Sequence, residues 1–194
     1  MPGVRAAQRE ATAAALVAEA RRRFASDGYA AVRLTEIVAA LGMTKGALYH
    51  HFDSKIALFR AVVEQAHLEV AGRVAAAAEQ HADPWDQLVA GCEAFLAAHA
   101  DPEVQQIMLT DAPAVLGWRE WRAMDEASSA RLLADVLTTL IDRGVVTPQP
   151  VEPLTRLLSG AMNEAAVWLA ETGSPTALAD TTTALRRLLS SLRE

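Results

Sequence analysis

The sequence predicts an all-α protein of about nine helices. Alanine, leucine and arginine dominate the chain and favour helices, whereas signals for strands are almost absent. Apolar residues recur at spacings of three and four, and many prolines and glycines fall where helices would begin and end. With 52% hydrophobic and 22% charged residues, the chain is expected to be globular rather than disordered.

The first predicted helix covers about residues 8–26. Leu16 and Ala20 belong to its apolar stripe. Gly28 is expected to end the helix, because glycine adopts the left-handed backbone at little cost. Residues 1–7 carry no clear pattern and are expected to fray.

Two short helices around a tight turn are predicted next, between Thr35 and Phe52. Thr35 is the expected N-cap of the first helix, and Gly42 ends it. Thr44 is expected to cap the second helix, because its hydroxyl can accept a hydrogen bond from an unpaired backbone N–H. Together they form a helix-turn-helix motif at about residues 33–52.

The second of these helices has two different sides at about 100° per residue. Apolar residues such as Leu48 lie on one side, which we expect to pack inward. The other side carries Lys45, Gly46, Tyr49 and His50. Lysine can bind phosphate or a guanine edge, glycine allows close backbone approach, and the tyrosine and histidine can donate to phosphate. This side is therefore the predicted recognition surface for DNA.

The net charge of −6 is unevenly distributed. Residues 1–60 contain nine Lys and Arg against five Asp and Glu, whereas residues 61–194 contain nine against nineteen. Both lysines of the chain, Lys45 and Lys55, lie in the motif or just after it. Positive charge is thus concentrated around the helix-turn-helix, as expected of a nucleic-acid site, and the acidic remainder should be repelled by DNA.

Two consecutive runs, FASDGYAAVRLTEIVAALG and GMTKGALYHHFDSKIALF, resemble the DNA-binding domain of TetR-type transcriptional repressors, which we place at residues 9–69. Ile56 departs from the family pattern, in which an acidic residue is common at this helix start. The resemblance implies that Arg33 and Thr35 touch the DNA backbone and that Lys55 binds a phosphate. The predicted DNA-binding residues are Arg33, Thr35, Thr44, Lys45, Gly46, Tyr49, His50 and Lys55.

Beyond the motif, caps and prolines predict the helix boundaries. Ser54 is the expected N-cap of a long fourth helix that joins the two parts of the chain. Asp83, Asp101 and Ser174 each precede a proline, which favours the first position of a helix. The predicted helices cover about residues 54–80, 84–99, 102–110, 118–143, 153–172 and 175–192, with a bend at 111–116.

The last two predicted helices carry apolar stripes at spacings of three and four. Two such hairpins can pair across a two-fold axis as a four-helix bundle. We therefore expect residues 70–194 to form a ligand-binding and dimerisation domain. The alternative is that both stripes face the core of their own chain. The predicted homodimer interface comprises Leu154, Leu158, Ala161, Ala165, Leu178, Leu185, Leu188 and Leu192.

Large aromatic residues and methionines in this domain are candidates for an apolar pocket, because such residues line sites for drug-like molecules. Trp118 and Trp121 lie at i, i+3, on one helix face. The alternative is that these residues are ordinary core. The predicted pocket residues are Phe95, Met108, Trp118, Trp121, Met124, Asn163 and Trp168.

The leading hypothesis is a homodimeric repressor that a small apolar effector releases from a palindromic operator in double-stranded DNA. A helical enzyme is disfavoured, because the sequence contains no HExxH, GxSxG, P-loop or dinucleotide fingerprint. The remaining alternative is a helical small-molecule-binding or interaction protein without DNA binding. The presence of Lys45, Tyr49 and Lys55 disfavours it.

The single cysteine, Cys92, excludes a disulfide framework and a cysteine-based zinc site. The histidines lack metal-like spacing, so neither a metal nor a cofactor is expected. We find no signal peptide and no long apolar run, and therefore expect a cytoplasmic protein that does not span a membrane.

Overall fold

The computed structural model describes residues 3–193. In this part of the chain the elements are helices, with one isolated backbone bridge between Val146 and Arg193, and the predicted all-α fold is confirmed. The helices are α1 (Val4–Ala31), α2 (Leu34–Ala40), α3 (Lys45–Tyr49), α4 (Lys55–Ala78), α5 (Pro84–Ala98), α6 (Pro102–Val104), a π-helix (Gln105–Asp111), α7 (Ala112–Leu116), α8 (Trp118–Ala127), α9 (Ser129–Asp142), α10 (Val151–Thr172) and α11 (Ala177–Ser190).

The first helix is longer than predicted. It begins at Val4, so the expectation that residues 1–7 fray is wrong from Val4 onward, while Met1 and Pro2 lie outside the described residues. Gly28 breaks the helix as predicted, with φ 75° and ψ 157°. One further turn follows the break and ends at Ala31. The break turns the chain toward α2.

Side-chain caps position the helix-turn-helix. Thr44 Oγ1 accepts a hydrogen bond from the backbone N–H of Ala47 (3.2 Å), as predicted. Ser54 Oγ caps α4 in the same way (3.1 Å). Thr35 is not the N-cap of α2. Arg33 holds that position instead, because the Glu36 carboxylate accepts a hydrogen bond from its backbone N–H (3.3 Å).

Aromatic packing joins the N-terminal helices into one core. Phe24 of α1 meets Phe59 of α4 edge to face, with ring centroids 5.1 Å apart, and Tyr29 contacts both rings. Leu16 and Leu48 are fully buried in the same core. α4 then continues into the C-terminal part, where it packs along α5.

The middle of the chain differs most from prediction. The predicted helix 102–110 is a short turn followed by a π-helix. The predicted bend at 111–116 is the helix α7, because Pro113 lies in the first turn of that helix, where proline is tolerated. The predicted helix 118–143 breaks at Ser128, whose φ is −119° and ψ −103°. The Ser128 hydroxyl donates to the carbonyl of Met124 (2.7 Å), a bond that competes with helical geometry.

The C-terminal helices complete a bundle of α4, α5, α9, α10 and α11. Gly173 ends α10 in the left-handed conformation (φ 58°), at the end predicted for the helix 153–172. α11 begins at Ala177 rather than at Pro175, with Thr176 as its N-cap. Among the described residues, no helix is long and apolar enough to cross a membrane.

Candidate DNA-binding surface and ligand cavity

The short helix α3 is exposed on one side and packed on the other. Lys45, Gly46, Tyr49 and His50 are exposed, with half of the Tyr49 surface accessible. Leu48, on the opposite side, is fully buried. The cap from Thr44 and the anchor at Leu48 therefore hold four DNA-compatible residues toward solvent.

The starts of α2 and α3 add three exposed polar residues, and the two helices pack against each other. Arg33 is the N-cap of α2, Thr35 lies in its first turn, and Thr44 precedes α3, and all three residues are exposed. An exposed helix N-terminus with an adjacent arginine can bind a phosphate.

Lys55 differs from the other predicted contacts because it has partners within the chain. Its Nζ lies 4.3 Å from the centre of the Tyr29 ring and donates to the carbonyl of Ala30 (3.4 Å). Burial lowers its pKa, while the nearby carboxylates of Asp111 and Glu36 oppose that shift. Sequence reasoning missed these contacts, since Tyr29 and Lys55 are far apart in the chain.

A cavity of about 320 Å³ lies between α4, α5, α9 and α10. Its wall is largely apolar, and the side chains of Val74, Leu88, Phe95, Leu133, Val136 and Met162 contribute to it. Such a volume is at the lower end of the range for small-molecule sites. The polar residues of the lining are Glu79, Gln87, Asp125, Ser129, Asp135, Thr139 and Ser159.

Asp125 is the centre of a buried polar network at the cavity wall. Its Oδ2 accepts hydrogen bonds from Arg122 Nη1 (2.7 Å), Ser159 Oγ (3.1 Å) and Asn163 Nδ2 (3.1 Å). All three of these hydrogen bonds are made to the same carboxylate oxygen. The buried hydroxyl of Ser129 lacks a hydrogen-bond partner within the described chain. The cavity wall therefore includes a buried hydroxyl that no described protein group satisfies.

Two buried histidines lie close to this network. His67 Nδ1 is 3.4 Å from Ser128 Oγ, and its Nε2 has no partner among the described residues. Burial, reinforced by the charge of His99, lowers the pKa of His67 to about 4. His99 Nδ1 is 2.8 Å from the carbonyl oxygen of Phe95. Across residues 3–193, no three His, Cys, Asp or Glu side chains are grouped to hold a metal ion.

The predicted pocket residues are dispersed. Phe95 alone of them is among the lining residues, and Asn163 touches the cavity network through Asp125. Trp121 is buried beside the π-helix, where its Nε1 donates to the carbonyl of Met108 (2.8 Å), so both residues are core.

Three other predicted pocket residues also lie outside the cavity lining. Trp118 and Trp168 are exposed by 64% and 48%, and Met124 is half-buried. Their placement corrects the expectation, because residue size does not specify which helix face meets the cavity. Sequence reasoning did not identify Asp125 and Ser129 as cavity residues. A carboxylate within an apolar helical stripe was a signal that could have indicated Asp125.

The predicted dimer residues also divide into two groups. Leu154, Leu158 and Leu185 are buried in the core of their own chain, so they are not available to a partner and that part of the expectation is corrected. Ala161 and Leu188 are exposed. The remaining predicted residues, Ala165, Leu178 and Leu192, are half-buried.

Ion pairs and hydrogen bonds join the N-terminal helices to the C-terminal part. Arg21 of α1 pairs with Glu69 of α4 (2.6 Å) and with Glu103 of α6. Asp111, at the end of the π-helix, accepts a hydrogen bond from the backbone N–H of Tyr29 (2.7 Å). These contacts attach α1, which packs against α2, to α4, α6 and the π-helix.

Comparison with protein families assigns both parts of the chain. The family described as bacterial regulatory proteins, tetR family, matches residues 16–62. The family described as tetracyclin repressor-like, C-terminal domain, matches residues 85–192, which is more than half of the chain. The two matches flank the middle of α4.

Individual relatives agree with these matches. A crystal structure of a TetR-family transcriptional regulator from Pectobacterium atrosepticum is 36% identical, with 96% of each chain covered and a TM-score of 0.83. The transposon Tn10 TetC protein of Escherichia coli is 26% identical over 151 residues, 78% of this chain and 76% of the relative. The HTH-type transcriptional repressor BepR of Brucella suis is 31% identical over 100 residues, 51% of this chain and 48% of the relative.

These matches confirm the resemblance drawn from the helix-turn-helix run and agree with the exposed face of α3. Members of this family act by binding DNA and not by catalysis. The chain therefore belongs to the TetR family of DNA-binding transcriptional regulators.

Proposed function

We propose that the protein is a homodimeric repressor that leaves a palindromic operator when a small apolar molecule fills the cavity. One observation carries this proposal: α4 begins at Lys55 beside the helix-turn-helix, and its other end supplies Val74 and Ala78 to the cavity wall. A single helix therefore joins the proposed DNA-binding domain (residues 9–69) to the proposed ligand-binding domain (residues 70–194).

Ligand binding would act through the angle of α4. A homodimer presents two recognition helices to successive major grooves, roughly 34–36 Å apart. A small tilt of α4 in each subunit changes that spacing, and the operator tolerates little change. A coupling free energy of about 1–3 kcal/mol would lower operator affinity roughly 5–150-fold.

The surface of α10 and α11 supports the homodimer. Leu157, Trp168 and Leu188 are exposed by 71%, 48% and 47%. Ala161 lies between the first two on the same face of α10. A second copy that covered this face would remove large apolar side chains from water, and a two-fold bundle of these helices provides the geometry. Such a repressor would act in the cytoplasm, where the chromosome lies.

The experiment is an electrophoretic mobility shift with DNA flanking the protein's own gene, over a series of salt concentrations. Lys45→Ala should weaken binding and lower the salt slope by about one unit, because an exposed cation on α3 is lost. Arg131→Ala, which removes an exposed cation from α9, is the control and should bind as the parent does.

Equal affinity and equal salt slope for the parent and Lys45→Ala would refute the recognition surface. Lys55→Ala is less informative, because it also removes the contact of Lys55 with the Tyr29 ring. Lys45→Ala is therefore the substitution that tests the recognition surface.

A further inference from the structure

The charged residues that line the cavity are all acidic. Asp125 is buried in the wall, and Glu79 and Asp135 are exposed side chains at the opening. No Lys, Arg or His contributes to the lining. Arg122 pairs with Asp125 from outside the lining (2.7 Å), and Glu126, which Arg122 approaches at 3.4 Å, is itself paired with Arg156 (2.7 Å). The side chains that line the cavity therefore carry negative charge and no positive charge.

The unmet hydrogen-bonding capacity lies on the same wall. Arg122, Ser159 and Asn163 all donate to Oδ2 of Asp125, and none of these three hydrogen bonds uses Oδ1. Ser129 is 7% exposed and its hydroxyl has no partner among the described residues. Buried polar groups in native proteins are rarely left without partners, so the Ser129 hydroxyl, on the same cavity wall as the Asp125 carboxylate, points to a ligand that supplies a polar group.

We infer that the effector is a hydrophobic amine, bound as its ammonium ion with an N–H group on Asp125 Oδ1 and its apolar part against Phe95, Leu133 and Met162. The inference rests on the proposed function, since it names the chemical class of the ligand for that cavity. An alkyl amine is protonated at neutral pH, as lysine is. Fatty acids and other organic anions are disfavoured, because the lining supplies three carboxylates and no cationic side chain.

The probes are three ten-carbon compounds that differ only in the head group: decylamine, 1-decanol and decanoate. A cavity of about 320 Å³ has the volume of about ten water molecules at 30 Å³ each, which suits a chain of this length. Each probe is titrated into the full-length protein by isothermal calorimetry, with decylamine and decanoate below their micelle concentrations and 1-decanol below its solubility limit. Decylamine should bind about ten-fold or more tightly than decanol, because a hydrogen bond between charged groups replaces a neutral one. Decanoate should bind most weakly.

Two variants test whether the cavity wall causes the preference for decylamine over decanol. Asp125→Asn should abolish the advantage of decylamine over decanol. Because Arg122 loses its partner there, this variant can fail to fold. Ser129→Ala provides the second test, since it removes an unpaired hydroxyl at little cost to folding, and it should weaken decylamine binding about three-fold or more. Asp142→Asn removes an exposed carboxylate of α9 outside the cavity and should leave all three affinities unchanged.

Equal or tighter binding of decanol or decanoate overturns the inference, as does the absence of decylamine binding. A second result also overturns the inference: Ser129→Ala binds decylamine as the parent does, and Asp125→Asn either keeps the preference for decylamine over decanol or fails to fold.

Operator release is measured separately. Decylamine that binds as described without releasing operator DNA supports the ligand class and refutes the proposed effector response. Release of operator DNA by decanol alone supports the effector response and refutes the amine.

Discussion

His67 of α4 and His99, which follows α5, are buried side chains close to the polar network of the cavity. His67 is 3% exposed, and the pKa of its imidazole falls from the ordinary 6.5 to about 4, mainly because burial disfavours the charged form. Burial also lowers the pKa of His99, against the opposing effects of the Phe95 carbonyl and Asp125. Both residues are therefore held neutral in the folded protein, whereas an unfolded chain would protonate them below pH 6.5.

The free energy of unfolding should decrease as the pH falls from about 6.5 to about 4. A depressed histidine pKa means that the unfolded state binds more protons in this window, so stability is complete above it and is lost on acidification. For His67 the loss approaches about 3 kcal/mol at pH 4. Urea unfolding followed by circular dichroism at several pH values measures this dependence.

The control for this prediction is a pair of substitutions. His67→Gln cannot gain a proton, so its stability should depend less steeply on pH, with His99 and the carboxylates responsible for the remainder. His81→Gln, at an exposed position, should follow the parent curve. Parallel curves for the parent and His67→Gln would contradict the assignment.

Among the elements, the π-helix Gln105–Asp111 touches both halves of the molecule. Its Met108 carbonyl accepts a hydrogen bond from Trp121 of α8 (2.8 Å), the helix that also carries Asp125. At its end, Asp111 Oδ2 accepts hydrogen bonds from the Tyr29 backbone (2.7 Å) and from Gln106 (3.1 Å). The wider turn of a π-helix places these groups on different neighbours, as is common at functional sites.

Asp111→Ala should destabilise the protein by about 1–3 kcal/mol, because the Tyr29 N–H loses a charged acceptor. Hydrogen exchange measured by NMR should show faster exchange of the Tyr29 amide, while amides in the middle of α5 change less. Asp111→Asn keeps a carbonyl oxygen at the same place and should have a smaller effect. An unchanged Tyr29 exchange rate in the alanine variant would show that this bond does not hold the break at Gly28.

At the scale of the whole molecule, the bundle separates core positions from surface positions on α10 and α11. Leu154, Leu158 and Leu185 face inward, and Leu157 and Leu188 face solvent. Two sides of α10 are apolar, so the helix has one side for its own core and one for another surface. The exposed side continues to Trp168 and supports the proposed subunit contact.

Leu157→Glu combined with Leu188→Glu should convert the dimer to a monomer, because charges placed in an apolar contact lose their hydration. Multi-angle light scattering measures the mass, and the mobility shift should show weaker binding to an operator with two half-sites. Leu68→Glu changes a leucine of α4 that is 68% exposed and serves as the matched control. A folded dimer in the double variant would place the interface elsewhere.

The N-terminal and C-terminal halves of the chain differ in how much of their structure could be predicted from the sequence. Caps at Thr44 and Ser54 and the helix ends at Gly28 and Gly173 were predictable, because each depends on a residue and the few that follow it. The exposure of α3 on its Lys45 side followed from helical periodicity alone. The break at Ser128 was not predictable, because the apolar repeat continues across it.

The sequence by itself determined the helical fold, the helix-turn-helix and the family, since propensity, capping and a contiguous motif are local properties of the chain. Only the tertiary structure decided which apolar residues are core, cavity or surface, and it brought Asp125, Ser159 and Asn163 together from two helices. It also placed Lys55 over Tyr29. The physical reason is that a helix with more than one apolar side leaves its orientation open until its neighbours pack against it.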